Sequence, residues 1–166
     1  MRLSFGMKGL VVYGYLAEFL LAVLVLLFLY LVGWSEIVDE FFEQSAGGWA
    51  TFFGVMLAGA MAALQVLFNL SNSEVGAWLE WKKLGRSFSG VFIFSLVLFL
   101  VATVTSLAVV YIHNAWLTRL GVVLWVLGLI NSFNFSVFRY QLSRLPAVFN
   151  LEMKKIAEAQ KQSSPG

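Results

Sequence analysis

The stretch FSGVFIFSLVLFLVATVTSLAVVYI, residues 88–112, is predominantly apolar and contains no charged side chain. At about 1.5 Å per residue, an α-helix of this length crosses the roughly 30 Å hydrocarbon core of a bilayer. Three further runs share this character, and short polar connectors separate them: Leu10–Val32, Trp49–Leu70 and Leu120–Phe138. The pattern predicts an all-α polytopic membrane protein with four transmembrane helices.

The composition of the 166-residue chain fits this class, with 60% hydrophobic and 12% charged residues and a mean hydropathy of +0.85. The chain has no cysteine, which excludes disulfides and thiolate chemistry. No catalytic motif accompanies its single histidine, His113, so we predict no enzyme activity, no cofactor and no metal. The net charge of +2 is small and the basic residues form no stripe, so no direct nucleic-acid binding is expected.

Basic residues beside the spans predict the orientation, because cytoplasmic connectors are enriched in Lys and Arg. If both termini are cytoplasmic, ten of the eleven basic residues lie on the cytoplasmic side, and only Arg119 lies outside. We therefore predict an N-in, C-in membrane protein. Its parts are a cytoplasmic N-terminus (1–9), a transmembrane domain (10–140) and a cytoplasmic tail (141–166).

Glu18 lies about eight residues, or about 12 Å, inside the first span. A carboxylate at this depth is costly unless it has partners. Polar side chains of the other spans are predicted at a similar depth, in the half nearer the cytoplasm: Gln65, Asn69, Ser95, Asn131 and Asn134. These groups either hydrogen-bond across the bundle as structural contacts, or line a permeation path that faces the cytoplasm.

The second span carries Gly54, Ala58 and Ala62 at four-residue spacing. Small residues at this spacing let two membrane helices approach closely. The contact lies either inside one bundle or between subunits. We favour a homo-oligomer, because four helices alone can hardly enclose a pathway.

The connector after the second span predicts a short amphipathic helix, which begins at Ser71 with Glu74 at capping-box spacing. Its aromatic and basic side chains are predicted to contact lipid headgroups or a cytoplasmic partner: Trp78, Trp81, Lys82, Lys83 and Arg86. The alternative is a surface elbow that only connects two spans.

Predictions also follow for the tail after the last span and for the acidic connector after the first. Pro146 is expected to interrupt the helix after the last span, and 147–160 to form an amphipathic tail helix that lies on the membrane or binds a subunit or partner. The acidic connector Ser35–Gln44 is a solvated loop, a short surface helix or a cation-attracting pore mouth.

Three segments together resemble small four-span proteins of phage exclusion and antiphage defence, namely the RexB-type exclusion protein and the membrane subunit of Kiwa-type systems. These are the small-residue second span (GVMLAGAMAALQVLF, 54–68), the basic elbow (WLEWKKLGRS, 78–87) and the polar exit (NSFNFSVFRYQ, 131–141). The resemblance is one of topology and transfers no residue's role. It implies a homo-oligomeric protein of the bacterial inner membrane that senses infection or conducts ions together with a cytoplasmic partner.

The expected function is therefore a non-enzymatic membrane component that acts with a cytoplasmic protein, in an antiphage setting. One alternative is a small ion- or proton-conducting channel with Glu18 at its centre. Another is an accessory subunit of a larger membrane complex.

Overall fold

The computed structural model describes the backbone of residues 3–82 and 84–163, and the side chains of 16–82, 84–86 and 88–160. This part of the chain is entirely helical, which confirms the predicted all-α class. It forms five helices: α1 (Leu3–Leu31), α2 (Ser35–Ser71), α3 (Glu74–Trp81), α4 (Gly85–Tyr111) and α5 (Ala115–Ser163).

Three segments are long and apolar enough to cross a membrane: Ser35–Ser71, Phe88–Tyr111 and Ala115–Gln160. In α1, side chains are described only from Leu16 onward, and this described part, Leu16–Leu31, is a shorter apolar helix. The α1 backbone nevertheless continues back to Leu3, for 29 residues in all.

The acidic connector is not a loop. Residues 32–34 make a tight turn in which Gly33 adopts φ +75°, and α2 begins at Ser35. The solvated loop predicted for Ser35–Gln44 is wrong, because these residues are helical, and Val38 and Phe42 share a face that packs against the rest of the bundle, with Phe42 fully buried. The acidic segment is therefore the first three turns of a 37-residue helix.

The predicted interruption at Pro146 is also wrong, since α5 runs unbroken for 49 residues with Pro146 inside it. A proline removes one helical hydrogen bond and crowds the carbonyl four residues earlier. Leu142 and Leu145 before the proline and Phe149 after it are all buried. This packing on both sides keeps the helix continuous.

The elbow helix predicted after the second span is present as α3, although it begins later than predicted. Ser73 rather than Ser71 precedes its first turn, and the Ser71 hydroxyl bonds the Phe68 carbonyl within α2. Gly76 is required at this corner, because a Cβ there would lie 2.4 Å from the Leu70 carbonyl oxygen.

Aromatic rings fill the core between α2, α4 and α5. Phe135 meets Phe92 and Phe99 edge-on at centroid distances of 5.8 Å, and Phe53 stacks on Phe99 at 6.3 Å. Trp125, the one tryptophan inside the last predicted span, packs 5.1 Å from Trp49.

Two glycines of α5 lie directly against phenylalanine rings of α2. A Cβ at Gly121 would lie 2.4 Å from Cε1 of Phe42, and a Cβ at Gly128 would lie 2.4 Å from Cε1 of Phe53. Any larger residue at either position would have to displace the buried ring that it meets. These glycines, seven residues apart, therefore allow the close contact between α2 and α5.

Candidate functional site

Glu18 is buried and accepts hydrogen bonds from two asparagines of α5. Asn131 Nδ2 donates to Oε2 at 3.2 Å, and Asn134 Nδ2 donates to Oε1. Each carboxylate oxygen therefore has its own neutral donor. Among the described residues no Lys, Arg or His forms an ion pair with Glu18. We call Glu18, Asn131 and Asn134 the Glu18 cluster.

The spacing of the buried residues in α1 explains why the Glu18 cluster attaches this helix to the bundle. Of the described α1 side chains, Glu18 and Ala22 are the buried ones, with Leu26 partly buried one turn further on. These positions are four residues apart and share one helix face. That face packs on α5, where Asn131 and Asn134 are three residues apart and point to the same side.

Ser95 lies at the level of the Glu18 cluster, because the ring contacts of Phe92 and Phe99 with Phe135 bracket it. Its side chain is fully buried, and its Oγ has no hydrogen-bond partner. Oδ1 of Asn131 is buried and unpartnered as well. Within the Glu18 cluster, Oδ1 of Asn131 is therefore an acceptor that no described donor uses.

The structure does not bring Gln65 and Asn69 into this layer. Both side chains lie on the exposed face of α2. The contact of Phe53 with Phe99 aligns α2 and α4, and it places Gln65 about eight residues, or about 12 Å, nearer the α3 end than Ser95. The polar layer therefore comes from α1, α4 and α5, without α2.

The predicted small-residue face of α2 is not the internal packing face. Ala58 and Ala62 are exposed, and a Cβ at Gly54 would have no atom within 4 Å. Other small residues make the close contacts inside the chain: Ala46, Ala50, Ala60 and Ala63 of α2, with Gly121 and Gly128 of α5. Sequence reasoning missed the two glycines, although their seven-residue spacing is a recognisable signal.

A second carboxylate, Glu152, joins the elbow to the tail. Trp78 Nε1 donates to Oε2 of Glu152 at 2.9 Å, and Lys82 Nζ donates to Oε1 at 2.5 Å. The Trp78 ring also meets Phe149 edge-on at 5.9 Å. We call Trp78, Lys82, Phe149 and Glu152 the elbow–tail clamp.

The electrostatics of the clamp favour the ionised carboxylate. Glu152 lies in the tail, beyond the last apolar run. The hydrogen bond from Lys82 is the largest influence that lowers the pKa of Glu152, burial opposes it, and the Trp78 indole adds to the lowering. Sequence reasoning identified Trp78 and Lys82 as surface residues, but their shared partner on α5 carries no local signal.

The other predicted elbow residues remain at the surface. Trp81 is largely exposed, with the Lys82 ammonium 4.6 Å from its ring centroid. Arg86 is exposed at the start of α4. Lys83 lies outside the described residues.

At the opposite end of the bundle, acidic residues of α2 contact the α4–α5 hairpin. The Thr118 hydroxyl donates to Glu43 at 2.6 Å, and Arg119 lies 3.8 Å from the Asp39 carboxylate. Two of the acids that could attract cations are thus engaged within the chain.

Comparison with known proteins gives no match: no family model, curated protein or solved structure is significantly similar to this chain. What the chain does must therefore follow from its own residues. The resemblance to phage-exclusion and antiphage proteins is not tested by this result and stays a prediction.

Proposed function

We propose that this chain is a non-enzymatic membrane protein with four transmembrane helices, which binds a cytoplasmic protein through its elbow and tail. The observation that carries the proposal is the continuity of α5 through Pro146. A continuous helix extends the tail beyond the bilayer, whereas a break would let it lie on the surface. From Arg139 to Gln160 the helix extends about 32 Å beyond the last apolar run.

The depth of Glu18 supports α1 as a fourth span. Glu18 contacts Asn131, which lies well inside the apolar run of α5, so α1 passes through the same layer as α5. Its 29 residues measure about 43 Å, which is enough to cross. Exposed apolar side chains such as Leu24 and Leu31 then face lipid.

Charge supports the orientation. Lys82, Arg86, Arg139 and Arg144 lie toward the α3 end of the bundle, while the acidic turns of α2 and the single Arg119 lie at the other end. Since cytoplasmic ends carry the excess of Lys and Arg, the α3 end faces the cytoplasm, and so do both termini.

The tail presents a face suited to a partner. Val148 and Leu151 are exposed, and Arg144 and Lys155 flank them at the same helix face. An apolar stripe between two cations fits a protein groove with an apolar floor and an acidic rim. The elbow–tail clamp on another face of α5 holds this stripe in a fixed direction.

The partner proposal is tested with a photo-crosslinking amino acid at position 151 of the full-length protein in cells. A discrete adduct with one cytoplasmic protein is expected, and Val148→Glu should abolish it because a carboxylate would enter the apolar contact. Met153 is similarly exposed but lies about 200° around the helix from Leu151, so Met153→Glu is the matched control. No adduct at 151, or equal loss in both variants, would contradict a docking face here.

The antiphage setting is tested by phage infection of cells that carry the gene in its natural context. Protection that disappears with Val148→Glu and survives with Met153→Glu is the expected result. Cells that are equally susceptible with and without the protein would refute this role.

We also propose that the chain forms a homo-oligomer through the exposed face of α2. Gly54, Ala58 and Ala62 leave open space on that face, and a second copy could approach it closely. Because the chain has no native cysteine, Ala58→Cys should give a disulfide-linked dimer in membranes, whereas Val104→Cys on the exposed face of α4 should not. The reverse pattern would rule out the α2 interface.

The Glu18 cluster favours a second candidate function, conduction of protons or cations. Asn131, which bonds its buried carboxylate, has an unpartnered oxygen, and Ser95 at a similar level of α4 has another. Reconstituted protein should then pass ions or protons through vesicle membranes, and Glu18→Gln should reduce the flux. Vesicles that stay tight with the unaltered protein would exclude this candidate without affecting the partner proposal.

A further inference from the structure

A groove of about 1040 Å³ lies where the end of α2, the elbow helix α3 and the start of α4 meet. Leu67 and Ile93 are apolar lining residues, and Glu80 and Arg86 are the charged groups that line it among the described residues. The volume is at the upper end of the range for pockets that hold small molecules. The groove is separate from the Glu18 cluster, the elbow–tail clamp and the exposed stripe of the tail.

The groove lies against a part of α4 that has few large side chains. Gly85, Ser89 and Gly90 line it between the larger side chains of this helix, and a Cβ at either glycine would have no atom within 4 Å. On the opposite side, the absence of a side chain at Gly76 lets α3 lie close against the end of α2. Small residues on both sides therefore leave the space open.

The two cations Lys82 and Arg86 near the elbow differ in whether they have a carboxylate partner. Lys82 is bound by Glu152, whereas Arg86 has no carboxylate partner among the described residues. Arg86 and Ser89 are three residues apart on α4, on the face that lines the groove. Ile93 lies on the same face, about 10 Å further along the helix from Arg86. The groove thus runs from a cationic rim to an apolar interior.

We propose that this groove binds an anionic phospholipid, with the phosphate at Arg86 and Ser89 and an acyl chain along Gly90 and Ile93. A basic pocket between membrane helices on the cytoplasmic side is a recurrent site for anionic headgroups. A water-soluble anion would use the rim but not the apolar part, whereas a lipid uses both. The Glu80 carboxylate repels an anion, so it reduces the preference of the groove for an anionic lipid over a neutral one. The inference rests on the proposed membrane placement, but not on a cytoplasmic partner or on conduction.

The test is native mass spectrometry of the full-length protein in detergent, titrated with phosphatidylglycerol or with phosphatidylcholine of the same acyl chains. One Arg near the surface predicts about five-fold tighter binding of phosphatidylglycerol. Arg86→Gln should abolish this preference, and Glu80→Gln should increase it. Arg139→Gln removes an exposed cation near the same end of the bundle but outside the groove, and should leave the preference unchanged.

Two further measurements separate the groove from general surface charge. Gly90→Leu should fill the apolar part and weaken binding of both lipids, and millimolar inorganic phosphate should not displace the bound lipid. Equal binding of the two lipids, or equal effects of Arg86→Gln and Arg139→Gln, would overturn the proposal. If the protein does not fractionate with membranes, the proposed membrane placement itself fails; if it does, these outcomes refute the groove alone.

Discussion

Two carboxylates hold this chain together at two depths, and they have different kinds of partner. Glu18 is 7% exposed and accepts hydrogen bonds from two neutral carboxamides of α5. The Glu152 side chain is 32% exposed and binds an ammonium group and an indole N–H. One contact fastens α1 to α5, and the other fastens α3 to α5.

The difference follows from where each group lies. A cation on a neighbouring span would itself have to be buried, so neutral amides are the less costly donors at the depth of Glu18. At the edge of the bundle Lys82 stays partly hydrated and can pair with Glu152 at little desolvation cost. The buried contact should therefore be the harder one to lose, and the surface contact the one that responds to salt and pH.

The largest effect is expected from Asn134→Leu. This change leaves one oxygen of a buried carboxylate without a donor, and should lower the free energy of unfolding by about 3 kcal/mol. Unfolding by SDS in mixed micelles measures it. Gln65→Leu removes an exposed carboxamide of α2 and is the matched control, with little change expected. A smaller loss for Asn134→Leu than for Gln65→Leu would mean that the Glu18 cluster does not hold α1.

A smaller effect is expected from Glu18→Gln. The new side chain has nearly the same shape and retains one acceptor oxygen, so the loss in unfolding free energy should be about 1 kcal/mol. The same micelle titration applies, with Glu18→Leu as the more damaging comparison. A Glu18→Gln protein as unstable as the Glu18→Leu protein would indicate that the negative charge itself is required.

Breaking the elbow–tail clamp should matter less for stability. Lys82→Met removes a partly exposed ion pair and should cost at most about 1 kcal/mol. The effect should shrink further at high ionic strength, while that of Asn134→Leu should not. Equal salt sensitivity at the two sites would contradict the contrast between them.

The smallest effect is a pH response of the clamp. Because the pKa of folded Glu152 lies below its ordinary value of 4.5, the clamp stabilises the fold fully above pH 4.5, and this contribution is lost as the pH falls through the lower folded-state value. The Trp78 indole N–H resonance in NMR should shift with a midpoint below 4.5. Glu152→Gln should remove that transition, and a midpoint above 4.5 would be inconsistent with the pairing.

Much of this arrangement could be predicted from the sequence. The apolar runs are long enough for helices to cross a bilayer, and counting from the ends of the spans predicts Glu18, Asn131 and Asn134 at one depth. The same counting, made from the end of its own span, also predicts Gln65 in this layer. Hydrophobicity does not say which face of a uniformly apolar helix turns inward.

Other features depend on tertiary contacts that no local pattern encodes. The continuity of α5 at Pro146 depends on packing of Leu142, Leu145 and Phe149. Similarly, Glu152 becomes the partner of Trp78 and Lys82 only because α5 continues past Pro146 to the elbow. In both cases one face of α5 contacts residues of other helices, such as Trp78 of α3 against Phe149.

The most direct measurement is labelling of single cysteines by a membrane-impermeant maleimide, which the cysteine-free chain allows. In intact spheroplasts, Gln44→Cys and His113→Cys should be labelled. Ser4→Cys, Ser73→Cys and Asn150→Cys should be labelled only after the membrane is opened. Labelling of Ser4→Cys from outside would mean that α1 does not cross, and would contradict a bundle in which Glu18 and Asn131 meet inside the membrane.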